Sequence, residues 1–334
     1  PSAHPMVHMP HHQPPVPTGQ RAVSLTITCA STSAIEQATW CELLAAALPH
    51  AEVFPWQDDG PACGADVAVV WRPPAALFAR ERELRVVFNL GAGVDALLNL
   101  PDLPDDVLIV RLEDAGMAAQ MAEYVAHYVV RASRHFNEYE ALQKARRWQP
   151  LSEIDRRQWP IGIMGMGVLG TSVARAMAGL DYPVAGWSRS GRRLEGVQTY
   201  AGRDALPAFL ARTRVLVNLL PLTPGTEDIL CRETLSQLLP DSHLINLGRG
   251  AHLVEEDLPP LLDSGHMAGA MLDVFRVEPL PAEHPFWTHP RIGITPHVAG
   301  VTLRRETIEQ IGTKILAIMR GETITGVVVR ERGY

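Results

Sequence analysis

Arg249, Glu278 and His297 each stand shortly after an apolar run that is typical of a buried strand. An arginine can hold a carboxylate through its planar fork and can polarise an adjacent carbonyl. A histidine can give or take a hydroxyl proton near neutral pH, and a nearby glutamate can orient the ring and stabilise its protonated form. Together, the three residue types predict proton-coupled chemistry on a carbonyl that lies beside a carboxylate.

A glycine-rich turn earlier in the chain predicts a cofactor for this chemistry. A candidate strand at 159–164 is followed at once by a GxGxxG pattern and then by a helix rich in small residues. In dinucleotide-binding units, these glycines permit a tight turn, close approach of the pyrophosphate and close packing of helix on strand. The expected cofactor contacts at this turn are Gly165, Gly167, Val168, Leu169 and Gly170.

The end of the next candidate strand indicates which dinucleotide binds. An acidic residue about 20 positions beyond the glycines would bind the 2′-hydroxyl of NAD. This chain instead has Trp187, Ser188, Arg189 and Ser190, with two more arginines close behind. Ser188 can donate a hydrogen bond to a 2′-phosphate and Arg189 can pair with it. NADPH is therefore the predicted cofactor, with NADH possible; a solvated basic turn is the alternative interpretation.

The elements that must position these residues alternate along the chain. Candidate strands lie at 23–29, 67–71, 85–89, 107–111, 159–164, 184–188, 215–220, 244–247, 269–275 and 292–295. Candidate helices lie at 34–48, 118–147, 172–180 and 304–319. This alternation predicts an α/β fold of doubly wound parallel sheets. In such sheets, ligands bind outside the carboxyl ends of the strands, which is where the candidate residues stand.

Composition excludes several classes of protein. The 334 residues are 46% hydrophobic and 20% charged, with a net charge of −7, a pI near 6.0 and a mean hydropathy of +0.01. These values are typical of a globular protein and argue against a nucleic-acid partner. No apolar stretch approaches the length of a membrane span. Because the four cysteines show no close spacing, we expect free thiols, no metal site and a cytoplasmic location.

The beginning of the chain differs from the remainder. Proline and histidine dominate residues 1–20, a composition that cannot bury enough surface to offset its ordering entropy. We therefore expect a disordered leader at residues 1–21. A metal-binding tract formed by its histidines, His4, His8, His11 and His12, is the alternative.

From Ala22 to Tyr334, the chain resembles the D-isomer-specific 2-hydroxyacid dehydrogenases, and among them the bacterial glyoxylate/hydroxypyruvate reductase A type. The matching segments are 71–74, 88–95, 111–114, 148–151, 165–170, 187–189, 247–250, 273–279, 296–297 and 332–334. One departure from the family pattern is Arg72, where a histidine is expected beside the tryptophan. This departure leaves the fine substrate preference open.

The resemblance implies an arrangement of two Rossmann-like domains, with the cofactor domain inserted into the substrate domain. The substrate domain would comprise 22–116 plus 300–334, and the NADP-binding domain would comprise 117–299. The helix from residue 118 would form the arm of a homodimer. Trp148 would either reach the partner's site or lie buried in the dimer.

The resemblance also implies NADPH-dependent reduction of glyoxylate to glycolate and of hydroxypyruvate to D-glycerate. Arg249, Glu278 and His297 would be catalytic, and His297 would act as the acid. The implied substrate contacts are Trp71, Arg72, Ala92, Gly93, Val94 and Trp148. The further implied cofactor contacts are Met121, Leu220, Pro221, Leu247, Gly248, Arg249, Asp273 and His297. A regulatory protein that senses dinucleotides on the same fold is the alternative, whereas Glu278 argues against formate oxidation, for which glutamine is expected.

Overall fold

The computed structural model describes residues 25–334, so the leader predicted at residues 1–21 lies outside the described residues. The strands are β1 (Leu25–Ser31), β2 (Ala51–Pro55), β3 (Val67–Trp71), β4 (Val86–Asn89), β5 (Leu108–Arg111), β6 (Ile161–Met164), β7 (Val184–Ser188), β8 (Val197–Ala201), β9 (Val215–Asn218), β10 (Ser242–Asn246), β11 (Met267–Leu272) and β12 (Ile292–Ile294). The helices are α1 (Ala34–Ala47), α2 (Ala76–Arg80), α3 (Asp95–Leu98), α4 (Met117–Ser133), α5 (Phe136–Lys144), α6 (Val168–Gly179), α7 (Leu206–Ala211), α8 (Arg232–Leu235), α9 (Leu258–Asp263) and α10 (Arg304–Met319).

The strands form two parallel sheets. One has five strands in the order β2-β1-β3-β4-β5, and the other has seven in the order β12-β11-β10-β9-β6-β7-β8. In both, the strand order reverses inside the sheet, which opens a crevice at the carboxyl ends of the central strands. The predicted α/β fold of doubly wound parallel sheets is confirmed.

Each sheet has its own apolar core. In the five-stranded sheet, α10 returns late in the chain and packs Ile311 and Ile315 into the cluster that contains Ile27 and Leu44. Against the seven-stranded sheet, Val125 of α4 lies in one cluster with several buried side chains of α6. The chain therefore crosses between the two sheets twice, and the loops that precede α4 and α10 lie at their junction.

The single helix expected over 118–147 is wrong, because the structure has two helices there. α4 ends at Ser133, and His135 adopts the left-handed conformation with φ +56° before α5 begins. The physical reason is the loss of a packing partner. α4 buries one face through Val129, whereas α5 buries no residue in the single chain and exposes 42% of Phe136.

Two strands were missed by the sequence analysis, and one helix begins earlier than expected. β2 and β8 each lie at a sheet edge and are half exposed, so they lack the long apolar run of a buried strand. α6 begins at Val168 rather than at residue 172, because the glycine-rich turn itself provides the first helical turn. Within residues 25–334, no helix is both long enough and apolar enough to cross a membrane.

Candidate active site

A cavity of about 1320 Å³ lies between the carboxyl edges of the two sheets. It is lined by residues from both sheets and from the loops at their junction. Every site residue predicted from the sequence lines this cavity, with the exception of Trp148. Trp148 follows α5 and is fully exposed in the single chain, so it does not meet the others there.

His297 and Glu278 form a pair at one wall of this cavity. The Nδ1 of His297 donates to the Oε2 of Glu278 over 2.8 Å, and the amide of Phe275 donates to the other carboxylate oxygen over 3.0 Å. Within the described part of the chain, no protein group hydrogen-bonds to Nε2 of His297, and 38% of the side chain is exposed. The ring is thus oriented by the carboxylate and presents its other nitrogen for proton transfer.

The Glu278 carboxylate is held in its charged form. Burial raises the pKa of Glu278, but the hydrogen bond from His297, the Phe275 amide and the charge of Arg72 together hold that pKa below its usual value. Arg72 reaches across from the end of β3 and lies 3.9 Å from Oε2. An ionised Glu278 accepts the hydrogen bond from Nδ1 of His297 and thereby orients the ring.

Asp273 fixes the loop that carries His297. Its side chain is 2% exposed and accepts hydrogen bonds from the hydroxyl of Thr295 and from the amides of Val298 and Ala299. The backbone N–H of His297 donates to the Asp273 carbonyl over 2.9 Å. Asp273 lines the cavity, but its carboxylate oxygens bind the loop, so they position His297.

Arg249 reaches from the end of β10 to the loop that follows β4. Its Nε donates to the Oδ1 of Asp95 over 3.0 Å, and a Cβ added at Gly93 would lie 1.5 Å from its Nη2. Only glycine at position 93 therefore allows the guanidinium to lie against this loop. Among residues 25–334, no acceptor is found for the amides of Ala92, Gly93 and Val94, which line the cavity beside Arg249. A guanidinium beside unpaired amides is a binding site for a carboxylate.

A buried polar network holds the backbone of Arg249. The Nδ1 of His252 accepts from the Arg249 amide over 3.0 Å and from the side chain of Asn218 over 2.9 Å. Asn218 also donates to Asn246, whose side chain donates in turn to the Arg249 carbonyl. Burial lowers the pKa of His252 to about 4, so the ring stays neutral and Nδ1 remains an acceptor at neutral pH.

We expect His252→Ala to lower the free energy of unfolding by about 1–3 kcal/mol, the usual cost of leaving buried donors without an acceptor. The reason is that the Arg249 amide and the Asn218 side chain would both lose their acceptor. Urea unfolding of the two proteins measures the difference. His50→Ala, on an exposed turn, is the control and should change stability by no more than about 0.5 kcal/mol. Equal midpoints for His252→Ala and the original protein would contradict this role.

The glycine-rich turn between β6 and α6 has the shape that a pyrophosphate requires. Gly165 has φ +97°, and a Cβ there would lie 2.6 Å from the Leu219 carbonyl. A Cβ at Gly170 would lie 1.8 Å from the Gly165 carbonyl, so α6 can pack this closely only with glycine. A Cβ at Gly167 would meet nothing within 4 Å, which leaves open space above the N-terminus of α6. Unpaired amides and the partial positive charge at that end favour a phosphate group.

The residues after β7 form the far end of the same cavity. Trp187 is buried and donates its indole N–H to the Gly202 carbonyl over 2.8 Å, so this nitrogen is already paired. The hydroxyl of Ser188 accepts from the amide of Gly191, and the side chains of Arg189 and Ser190 are exposed at the cavity rim. This end of the cavity therefore presents a hydroxyl and a cation, which suits a phosphate better than a ribose hydroxyl.

Five residues that support the site were not predicted from the sequence, namely Asp95, Asn218, Asn246, His252 and Thr295. A signal existed for two of them. Asn218 and Asn246 end the otherwise apolar strands β9 and β10, which is where polar site residues collect in parallel sheets. His252 gave no signal, because a single histidine in a loop does not reveal which backbone groups it accepts from.

Comparison with known proteins gives the family of this chain. A family model described as D-isomer specific 2-hydroxyacid dehydrogenase, NAD binding domain, matches residues 126–299. The chain is 48% identical over 302 residues to the glyoxylate/hydroxypyruvate reductase A of Serratia proteamaculans (strain 568), an alignment that covers 88% of this chain and 96% of the relative.

Solved structures give the same result. A D-isomer specific 2-hydroxyacid dehydrogenase from Xanthobacter autotrophicus Py2, in complex with NADPH and MES, matches with a TM-score of 0.87 and 37% identity over 93% of this chain and 100% of that one. An NADPH-dependent glyoxylate/hydroxypyruvate reductase from Sinorhizobium meliloti, in complex with NADP and sulfate, matches with a TM-score of 0.86 and 40% identity over the same shares. The chain therefore belongs to the D-isomer specific 2-hydroxyacid dehydrogenase family and is a nicotinamide-dependent oxidoreductase.

Proposed function

We propose that this protein uses NADPH to reduce glyoxylate to glycolate and hydroxypyruvate to D-glycerate. The observation that carries the proposal is that the His297–Glu278 pair, the Arg249 guanidinium and the glycine-rich turn all line one cavity. The relatives named glyoxylate/hydroxypyruvate reductase A and the NADP complex of the Sinorhizobium meliloti reductase support this choice of substrate and cofactor.

The site residues divide the reaction between them. Reduced nicotinamide supplies the hydride to the carbonyl carbon of the substrate. Arg249 and the amides of the 92–94 loop hold the substrate carboxylate, and the guanidinium offsets negative charge on the carbonyl oxygen. His297 then protonates that oxygen, and Glu278 keeps the ring oriented. Trp71 and Arg72 form the wall of the substrate end.

An assay of NADPH and NADH oxidation across glyoxylate, hydroxypyruvate, pyruvate and bulkier 2-oxoacids tests the proposal. We expect the highest kcat/KM with NADPH and the two small substrates. Tight NADPH binding without turnover of any of these substrates would instead support a protein that senses dinucleotides.

The cofactor proposal predicts a selective effect of Arg189→Ala. This variant should raise the KM for NADPH by roughly ten- to a hundredfold, because a hydrogen bond to a charged group is worth about 1.5–3 kcal/mol. The KM for NADH should change little, since NADH lacks the 2′-phosphate. Steady-state kinetics with both cofactors measure the split, with the neighbouring exposed Arg193→Ala as the matched control. Equal changes for both cofactors would exclude the assigned role of Arg189.

We also propose that the substrate domain comprises residues 22–116 plus 300–334 and that residues 117–299 form the cofactor domain.

We further propose that α4 and α5 form the arm of a homodimer. Support comes from α5, which exposes Phe136 and Tyr139, and from Trp148, which is fully exposed just beyond it. Sedimentation at micromolar concentration should give a dimer, whereas an active monomer would refute the dimer arm.

The four cysteines are free in the described structure, in keeping with the proposed reducing environment of the cytoplasm.

A further inference from the structure

The segment 326–334 is anchored to the edge of the five-stranded sheet beside β5. The amide of Arg111 donates to the Gly326 carbonyl over 2.9 Å, and the amide of Val328 donates to the Ile109 carbonyl over 2.9 Å. The guanidinium of Arg330 binds the Val107 carbonyl over 3.1 Å. These bonds fix the direction in which the rest of the segment leaves the sheet.

Beyond this anchor, the segment crosses to the seven-stranded sheet. Gly333 has φ +77°, and a Cβ there would lie 3.3 Å from Thr223 in the loop after β9. The Val329 amide donates to the Tyr334 carbonyl over 3.2 Å, which closes the turn. The ring of Tyr334 then lies under the guanidinium of Arg189, with 5.4 Å from Cζ to the ring centroid. Both side chains line the large cavity, at the end formed by the residues after β7.

An isolated Arg189 would be poorly prepared to bind a phosphate. It stands exposed after β7, and none of the ion pairs found within residues 25–334 involves it. A free arginine side chain loses much rotamer freedom when it binds, which weakens the resulting contact. An aromatic face within about 6 Å of a guanidinium attracts it and limits this freedom before the ligand arrives.

We propose that Tyr334 is a positioning residue that holds Arg189 where it pairs with the 2′-phosphate of NADPH. This inference rests on the proposed NADPH binding and extends it to a residue of the segment that is anchored to the five-stranded sheet. The φ of +77° at Gly333 favours glycine in the turn that places the ring. Tyr334 thereby contributes to the discrimination between NADPH and NADH without touching the reacting atoms.

The test is the binding of NADP⁺ and of NAD⁺, which differ only in the 2′-phosphate, measured by calorimetry. Tyr334→Leu should weaken NADP⁺ binding by about two- to fivefold, which is the loss of affinity expected when a cation–π contact at an exposed site is removed. It should leave NAD⁺ binding unchanged. The Tyr334→Phe protein keeps the aromatic face and should bind NADP⁺ and NAD⁺ with the affinities of the original protein. In an Arg189→Ala background, Tyr334→Leu should not weaken NADP⁺ binding any further, because the two residues act as a pair.

The outcomes separate this inference from the NADPH proposal. If Arg189→Ala weakens NADP⁺ binding and Tyr334→Leu does not, the positioning role is wrong and the cofactor proposal stands. If Tyr334→Leu weakens NADP⁺ and NAD⁺ equally, or if Tyr334→Phe behaves like Tyr334→Leu, the ring has a merely structural role and the inference is overturned. If Arg189→Ala leaves NADP⁺ binding unchanged, the assigned role of Arg189 and the positioning role of Tyr334 both fail.

Discussion

Replacing His297 by alanine should lower kcat for hydroxypyruvate reduction by about 10²–10⁴-fold, the usual contribution of a positioned acid or base. The carbonyl oxygen must gain a proton as the hydride arrives, and Nε2 of His297 is the group that the Glu278 contact prepares to supply it. NADPH binding should change little, because the imidazole serves the carbonyl rather than the phosphates. Steady-state kinetics and calorimetry on the same preparation measure the two effects separately.

Glu278→Gln is the matched variant for this prediction. It keeps the shape of the side chain and removes the carboxylate that accepts hydrogen bonds from Nδ1 of His297 and from the Phe275 amide. We therefore expect kcat to fall, but by less than in His297→Ala, because the acid is still present and only less well oriented.

His284→Ala and His289→Ala are controls. His284 bonds to the Phe286 amide and to Glu255, and His289 bonds to the Arg291 amide, so both stabilise loops outside the cavity. Wild-type turnover in His297→Ala, together with an inactive control variant, would show that the role of the acid has been assigned to the wrong histidine.

Arg249→Ala should both raise the KM for the 2-oxoacid and lower kcat, because Arg249 holds the carboxylate before and during hydride transfer. We expect kcat/KM to fall by roughly 10²–10³-fold, within the 2–5 kcal/mol that follow from removing one partner of a hydrogen-bonded charge pair. Arg249→Lys should recover only part of the loss, since a lysine lacks the planar fork that can bind a carboxylate and Asp95 together.

A surface arginine provides the comparison for Arg249. Arg232 pairs with Asp257 away from the cavity, and Arg232→Ala should leave both kinetic constants nearly unchanged. Because Arg249→Ala also leaves Asp95 unpaired, urea unfolding should accompany the kinetics. A raised KM with unchanged kcat would indicate that Arg249 only binds the substrate and does not stabilise the transition state.

The sequence predicts most of the architecture because the central strands are buried on both faces. Strands β3 and β7 are each buried over their first four residues, and their observed bounds equal the expected ones. Polar residues at the ends of such strands must meet at one edge of a parallel sheet. For this reason, the sequence alone groups Arg249, Glu278 and His297, and all three line the cavity.

What the sequence does not predict depends on contacts between distant parts of the chain. The break between α4 and α5 has neither proline nor glycine, and it arises where packing against α6 stops. The interaction of His252 with the Asn218 side chain requires β9 and β10 to be neighbours, which spacing alone does not establish. The contact between Tyr334 and Arg189 joins two sheets, so no local pattern reveals it.

The most direct test of the central claim follows the hydride itself. The protein is incubated with hydroxypyruvate and with NADPH that carries deuterium at C4 of the nicotinamide, in both stereochemical forms, and the product is analysed by mass spectrometry and chiral chromatography. We predict D-glycerate with deuterium at C2 from one of the two labelled forms and unlabelled D-glycerate from the other. L-glycerate, or product that carries no deuterium from either form, would contradict the account.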